Sequence, residues 1–220
     1  MKLENWEKNA FLFEFIGSIQ YIILIFIAML FYTGGTEDNP KVPGYSFWGN
    51  SLSDLGRTIA YSGRINTISM IIFSITLIIW AISIIPFFMA LRFSFLQDKL
   101  QKKLTSIGLI FGIITGISLI GIAFTPDDIL DNFHMIFVYI GYTSLFIAGL
   151  LYSIAMYLNK QFPKIFMYLF TIFTVVHFIT SMMGLVGLAS ALTLMVIGQK
   201  IGRYTTVVCF AIVSYGMWKR

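Results

Sequence analysis

Residues 65–91 read INTISMIIFSITLIIWAISIIPFFMAL and contain no charged side chain over 27 consecutive positions. A helix rises about 1.5 Å per residue, so a helix of this length crosses the roughly 30 Å hydrocarbon core of a bilayer. Across the chain 58% of residues are hydrophobic and 11% are charged, whereas soluble domains are about 45–50% apolar and about 25% charged. The composition excludes a soluble enzyme, a disordered chain and a disulfide scaffold, and it predicts an all-α polytopic integral membrane protein.

Further apolar stretches lie on both sides of this segment. They occupy 15–36, 104–126, 132–159, 165–199 and, more briefly, 204–218. Since a span needs about 20 apolar residues, we predict one transmembrane domain over 1–220, built as a six-helix bundle. Its spans are expected at about 12–33, 66–91, 104–124, 134–158, 165–187 and 201–218, and its outer loops at about 34–64, 125–133 and 188–200.

The stretch 165–199 is too long for one crossing and too short for two crossings with a turn between them. We expect a span that ends near Gly187, followed by an interfacial or re-entrant segment at 188–198. The alternative breaks the chain at 184–187 and starts the last span there. That alternative would place Gln199, Lys200 and Arg203 in hydrocarbon at a cost of several kcal/mol.

The positions of the cations predict the orientation of the bundle. With six spans, ten of the 15 Lys and Arg residues fall on the side that carries both termini. The positive-inside rule places that side in the cytoplasm. Within the third span, Gly108, Gly112 and Gly116 recur at every fourth position, a pattern that lets helix backbones approach closely in lipid.

Nothing in the sequence indicates a nucleic-acid partner, a metal or another cofactor. The net charge is +5, but the cations are scattered at the ends of apolar runs instead of forming a basic groove. The single cysteine, Cys209, lies in an apolar stretch and has no second cysteine to pair with. An intramembrane zinc hydrolase would need three His with a carboxylate or an HExxH pattern, and this chain has only His134 and His177.

Polar residues of the kinds used in catalysis and binding concentrate on the predicted outer face. Because the ends of side-by-side helices meet at one surface, the three outer loops are expected to cap one mouth of the bundle. The candidate catalytic residues are Ser53, Asp54 and His134. The candidate substrate-binding residues are Asn50, Arg57, Asp131, Lys200 and Arg203.

Structural roles compete with these functional ones. Ser51 and Asp54 have the spacing of a capping box, in which each side chain accepts the backbone N–H of the other residue. The run 125–128 is typical of a helix start, with Thr125 as the N-cap and two aspartates at the positive end of the helix dipole. Glu14, one turn into the first span, is expected to reach the inner surface or to pair with a basic neighbour.

Several functions remain open for the outer cluster. A metal-free acyl transferase or hydrolase could use Ser53 or Ser51 as the nucleophile and His134 as the base, oriented by Asp54 or Asp131. A lipid-binding site could hold a head-group phosphate with Arg57, Lys200 and Arg203. Membrane lipids are therefore the expected partners, and Asp54 with His134 is the expected key polar pair.

Two alternatives do not depend on a lipid. A small transporter or channel-like protein would line a water-filled path with His177 and Gln20. A non-catalytic structural or partner-binding protein would use its polar residues only as caps and ion pairs. Whether the protein is an enzyme, and whether it forms oligomers, is left open by the sequence.

The segment Asn50-Ser-Leu-Ser-Asp-Leu-Gly56 resembles the (I/L)SDLG segment that follows the first span in the DUF998 family of uncharacterised six-span prokaryotic membrane proteins. Pro126 and His134 match the proline-containing outer loop and the histidine that opens the fourth span in that family. The run from Gly198 to Arg203 is only loosely similar to a family element before the last span, because the usual acidic residue is absent.

The resemblance implies a site around Ser53, Asp54 and His134 and a location in the cytoplasmic membrane of a prokaryote. The family is in turn distantly similar to the eukaryotic DRAM and Sfk-type proteins. Those proteins are associated with lipid remodelling, lipid distribution and membrane stress. The resemblance therefore implies binding, remodelling or redistribution of a membrane lipid, and it does not define a reaction.

Overall fold

The computed structural model describes residues 3–190 and 192–220, apart from the side chains of 188–190. Its helices are α1 (Asn5–Phe31), α2 (Thr67–Phe93), α3 (Lys99–Phe124), α4 (Asp127–Leu158), α5 (Lys164–Ser190) and α6 (Leu192–Trp218). A short 3-10 helix, Ser53–Gly56, lies in the loop between α1 and α2. Each of the six helices contains a window long and apolar enough to cross a membrane. The prediction of an all-α integral membrane protein with six spans is confirmed.

The helices form a ring in sequence order. Each helix packs against the next one along the chain, and α6 closes the ring against α1. Aromatic rings from α2, α5 and α6 fill the interior: Phe87 and Phe170 each stack on Phe210, at centroid distances of 4.9 and 5.7 Å. Of the six neighbouring helix pairs, α4 and α5 contact each other least. This loose junction is where the candidate site lies.

The glycine stripe of α3 lets its neighbours approach closely, as predicted. Gly108 faces the ring of Tyr152 on α4, and Gly112 faces the ring of Phe88 on α2. A Cβ atom at either glycine would overlap the facing ring. The Tyr152 hydroxyl donates a 2.8 Å hydrogen bond to the Phe88 carbonyl, so the same contact ties α4 to α2.

The predicted outer loop at 188–200, with its interfacial or re-entrant segment at 188–198, is wrong: residues 188–190 belong to α5 and residues 192–200 to α6, while residue 191 lies outside the described residues. The prediction assumed that Gln199, Lys200 and Arg203 would meet lipid if the helix began before them. Instead, Lys200 is 2% exposed and Arg203 lies over aromatic rings of α2 and α4. Because polar partners inside the protein replace water, the helix can carry these residues at this depth.

The predicted outer loop at 125–133 is also shorter than expected. Thr125 ends α3 and its hydroxyl donates to the Gly121 carbonyl at 2.8 Å, so it is not the N-cap of α4. Pro126 takes that place, and α4 begins at Asp127. The helix is kinked at Leu130, whose φ of −131° and ψ of 38° are not helical.

Glu14 joins α1 to α2 inside the bundle, and the expectation that it reaches the surface or a basic neighbour is wrong. Its side chain is 0% exposed. It accepts hydrogen bonds from Trp80 Nε1 at 3.0 Å, Ser83 Oγ at 2.6 Å and Ser18 Oγ at 2.9 Å. Three donors satisfy a group that would otherwise be costly to bury.

We expect Glu14→Leu to destabilise the bundle, because Trp80 Nε1 and Ser18 Oγ would lose their acceptor. A buried donor without an acceptor costs about 1–3 kcal/mol. Glu14→Gln keeps an acceptor oxygen and should cost clearly less. Thermal unfolding of both variants in detergent tests this, and equal melting temperatures for the leucine and glutamine variants would contradict the assigned role.

Candidate functional site at the loop end of the bundle

The loop between α1 and α2 folds into a cap over one end of the bundle, here called the loop end. Gly34 and Gly35 turn the chain back after α1 with φ values of 109° and 85°. Asn50 is fully buried, and its side chain joins separate parts of the cap through hydrogen bonds. Its Nδ2 donates to the Gly35 carbonyl at 3.0 Å, and its Oδ1 accepts the Ser46 N–H at 2.9 Å. Asn50, a predicted substrate-binding residue, thus serves the structure of the loop.

Asp54 is likewise used within the cap. Its carboxylate accepts the Ser51 N–H at 3.0 Å, and Ser51 Oγ accepts the Asp54 N–H at 3.2 Å, which are the reciprocal bonds of the predicted capping box. Asn50 Nδ2 donates a further bond at 2.8 Å. Burial raises the pKa of Asp54, and the hydrogen bonds from Asn50 and Ser51 oppose that shift.

Two aspartates at the start of α4 hold the cap on that helix. The Asp128 carboxylate accepts the N–H groups of Thr58 at 3.0 Å and Ile59 at 2.9 Å. The Arg57 guanidinium binds Asp127 Oδ1 at 3.2 Å. We refer to these contacts of Asp127 and Asp128 as the aspartate clamp. The aspartates therefore act between segments, beyond the helix-end role that the sequence suggested.

Two residues of α6 hold the cap from the other side. The Lys200 ammonium group donates to the Asn50 carbonyl and lies 5.5 Å from the centre of the Tyr45 ring. Gln199 Oε1 accepts the Leu52 N–H at 2.6 Å, while its Nε2 donates to Ser53 Oγ at 3.4 Å. Gln199 is not among the predicted site residues, and no spacing pattern in the sequence indicated its contact with Ser53.

The structure does not bring the three predicted head-group cations together. Arg57 is paired in the aspartate clamp, and Lys200 is bound to a backbone carbonyl of the cap. Arg203 lies deeper, with its guanidinium 5.1 Å from the Trp80 ring and 5.4 Å from the Tyr142 ring. These three residues therefore do not form a shared phosphate clamp.

His134 contacts Ser53 and not Asp54. His134 Nε2 lies 3.1 Å from Ser53 Oγ, and His134 Nδ1 lies 2.6 Å from the Thr125 carbonyl oxygen. A carbonyl can only accept, so Nδ1 carries the proton and Nε2 accepts from the serine hydroxyl. Asp131 lies one turn earlier on α4 and is exposed. Of the predicted catalytic residues, the structure joins Ser53 to His134.

A cleft of about 900 Å³ opens beside this pair. Its walls toward the middle of the bundle come from α4, α5 and the start of α6, and they are mostly apolar, with hydroxyl groups from Thr143, Thr180 and Ser181. Among the apolar residues are Val138, Phe146, Phe178, Leu185 and Val196. Phe178, Met182 and Leu185 line the cleft and are exposed, so the cleft is open between α4 and α5.

The polar end of the cleft is formed by the cap and the start of α4. Ser53, Arg57 and His134 line it together with several acidic side chains. The acidic lining residues are Glu37, Asp54, Asp127, Asp128 and Asp131. The sequence indicated this polar end, whereas the apolar walls could not be distinguished from ordinary lipid-facing side chains.

The centre of the bundle is closely packed around His177. The void beside His177 is about 10 Å³, near the minimum for one water molecule. His177 Nε2 lies 3.0 Å from the Tyr142 carbonyl oxygen, and Gln20 Nε2 donates to the Thr76 carbonyl at 3.1 Å. A transport path past His177 requires a water-filled cavity, and the void described beside His177 is too small to form one.

We expect Asp128→Ala to loosen the cap, because Thr58 and Ile59 lose the acceptor that holds them on α4. Hydrogen–deuterium exchange should increase in peptides that cover 57–66. Asp131→Ala is the matched control, since Asp131 lies on the same helix and makes no hydrogen bond to the cap among the described residues. Unchanged exchange in Asp128→Ala would show that the aspartate clamp does not hold the loop.

Comparison with known proteins identifies a family. Residues 25–198, which are 174 of the 220 residues, match the family described as "Protein of unknown function (DUF998)". The match includes Ser53 and His134 and ends just before Gln199. No curated protein and no solved structure matches the chain, so the similarity to DRAM and Sfk-type proteins stays a prediction. The chain is thus an integral membrane protein that belongs to the DUF998 family.

Proposed function

We propose that this protein binds a membrane lipid in the cleft between α4 and α5, with the head group of the lipid at the loop end. The observation that carries the proposal is a cleft that combines a polar end with mostly apolar walls and lies between two helices long and apolar enough to cross a membrane. Its volume of about 900 Å³ lies within the range of about 300–1,000 Å³ found for small-molecule sites.

The polar end of the cleft determines which amphiphile binds. Lipid tails are as apolar as the side chains of Phe178 and Leu185, so moving a tail from the bilayer into the cleft gains little free energy. Hydrogen bonds at Ser53, His134 and the nearby carboxylates are made in a site that is partly shielded from water. They are stronger there than in water, so they discriminate more strongly between head groups. Selectivity is therefore assigned to the loop end.

The charges at this end favour a head group with amine or hydroxyl donors. Among the described residues that line the cleft, Arg57 is the only Lys or Arg, and its ion pair with Asp127 already neutralises its charge. Glu37 and Asp131 are exposed and add negative charge to the lining of the cleft. A bare phosphate would meet this charge without a free cation, whereas an ammonium or hydroxyl group could donate to the carboxylates. Phosphatidylethanolamine is the common lipid with this chemistry.

Gly184 offers a direct way to close the cleft. It lines the cleft, and a Cβ atom added there would meet open space. We expect Gly184→Phe to fill the cleft and to reduce retention of added phosphatidylethanolamine several-fold. Native mass spectrometry of the detergent-solubilised protein measures the retained lipid, with phosphatidic acid as the anionic comparison.

Ile172→Phe is the matched control, because Ile172 lies on the same helix with a side chain that is exposed on the outside of the bundle. It should retain as much phosphatidylethanolamine as the wild type. Equal retention by the Gly184 and Ile172 variants, or a stronger preference for phosphatidic acid, would contradict the proposed site.

A further inference from the structure

We infer that Ser53 and His134 form a nucleophile–base dyad that cleaves or transfers an ester-linked acyl group of the lipid bound in the cleft. The inference rests on the proposed lipid site, and it assigns a reaction class to that site. It is carried by the contact of the two side chains at the polar end of an amphipathic cleft. A serine hydroxyl needs a neighbouring base to act as a nucleophile at neutral pH.

The geometry fits that requirement. The 3.1 Å separation of Ser53 Oγ and His134 Nε2 lies within hydrogen-bond reach, which is the condition for direct proton transfer. The His134 ring is 3% exposed, so packing holds its orientation. Ser53 is only half-buried and lines the cleft. The nucleophile is therefore accessible from the cleft while the base is fixed.

The carbonyl of Thr125 takes the orienting role that an aspartate has in a Ser-His-Asp triad. α3 ends at Thr125, so its carbonyl is not part of a helical hydrogen bond and can accept from His134 Nδ1 at 2.6 Å. This bond places the lone pair of Nε2 toward Ser53. The predicted orienters do not do this: Asp54 is bound within the cap, and Asp131 makes no hydrogen bond to His134.

Gln199 supplies a donor beside the nucleophile. Its Nε2 lies 3.4 Å from Ser53 Oγ, and its Oε1 is fixed by the Leu52 N–H. Attack on an ester carbonyl creates a negatively charged oxygen next to Ser53 Oγ. An amide N–H held at that point can stabilise this charge. We assign this role to Gln199.

The reaction balances with water as the second substrate. Ser53 Oγ attacks the ester carbon while its proton moves to His134 Nε2. The tetrahedral intermediate collapses, the bond to the leaving alkoxide oxygen breaks, and that oxygen takes the proton from Nε2. Water from the loop end then loses a proton to Nε2 and attacks the acyl carbon. The fatty acid leaves, and Ser53 Oγ recovers its proton.

Ser51, the other serine considered as a nucleophile, is less suited to this chemistry. Its hydroxyl donates to Asp54 Oδ1 at 2.7 Å and accepts the Asp54 N–H at 3.2 Å. Both functions of the hydroxyl are thus used in the capping box, and the residue is buried. The structure favours Ser53 between the two.

A fluorophosphonate probe tests the dyad, because it reacts with serine hydroxyls that a base activates. Full-length protein in lipid nanodiscs should become labelled at Ser53, as located by peptide mass spectrometry. Ser53→Ala should abolish that label, and His134→Gln should slow labelling by about 10²-fold or more, as expected for loss of a general base. Ser62→Ala is the matched control and should label like the wild type, since Ser62 Oγ donates to the Thr33 carbonyl in the same loop, away from the histidine.

Retention of phosphatidylethanolamine by the wild type, compared with Gly184→Phe, separates the two proposals. If the wild type retains the lipid better than Gly184→Phe and shows no label at Ser53, the dyad is overturned and the lipid site stands. If Ser53 is labelled but the wild type neither retains the lipid nor releases fatty acid from it, the lipid site fails, and with it the lipid ester as substrate. A melting temperature equal to that of the wild type shows that Ser53→Ala is folded.

Discussion

The hydrogen bonds from the N–H groups of Thr58 and Ile59 to the Asp128 carboxylate hold the loop cap on α4, and the candidate site depends on them. These charge-assisted bonds join two segments that are 70 residues apart in the chain. They place Ser53, on the 3-10 helix of the cap, against His134, which lies further along α4. Without this docking, the two side chains would not be held in contact.

Much of the polar interior follows one rule of proteins in lipid: buried polar groups are satisfied by partners within the chain. Trp80 meets two such polar groups at once. Its indole N–H donates to the Glu14 carboxyl group, and its ring faces the Arg203 guanidinium at 5.1 Å. One aromatic side chain thus meets an acid at its edge and a cation at its face, as its charge distribution favours.

The sequence could predict the helices and one end of the site, because apolar length and glycine spacing are local properties. It could not predict that α6 begins at Leu192. The expected free-energy cost of a helical Lys200 assumed that lipid surrounds the ammonium group, whereas the Asn50 carbonyl accepts its hydrogen bond. Neighbours on a 3-10 helix point in different directions, so spacing alone could not separate Ser53 from Asp54 as the partner of His134. The apolar walls depend on how α5 packs against α4, which local sequence patterns do not determine.

The cleft between α4 and α5 is proposed to hold a lipid with its polar end at Ser53 and His134. A cryo-electron microscopy structure of the protein in lipid nanodiscs would show such a lipid. Elongated density is expected to enter between Phe146 and Phe178 and to end within hydrogen-bond distance of Ser53 or His134. The lipid site would be contradicted by α4 and α5 packed side by side, with their own side chains filling the cleft and lipid found only outside the ring of helices.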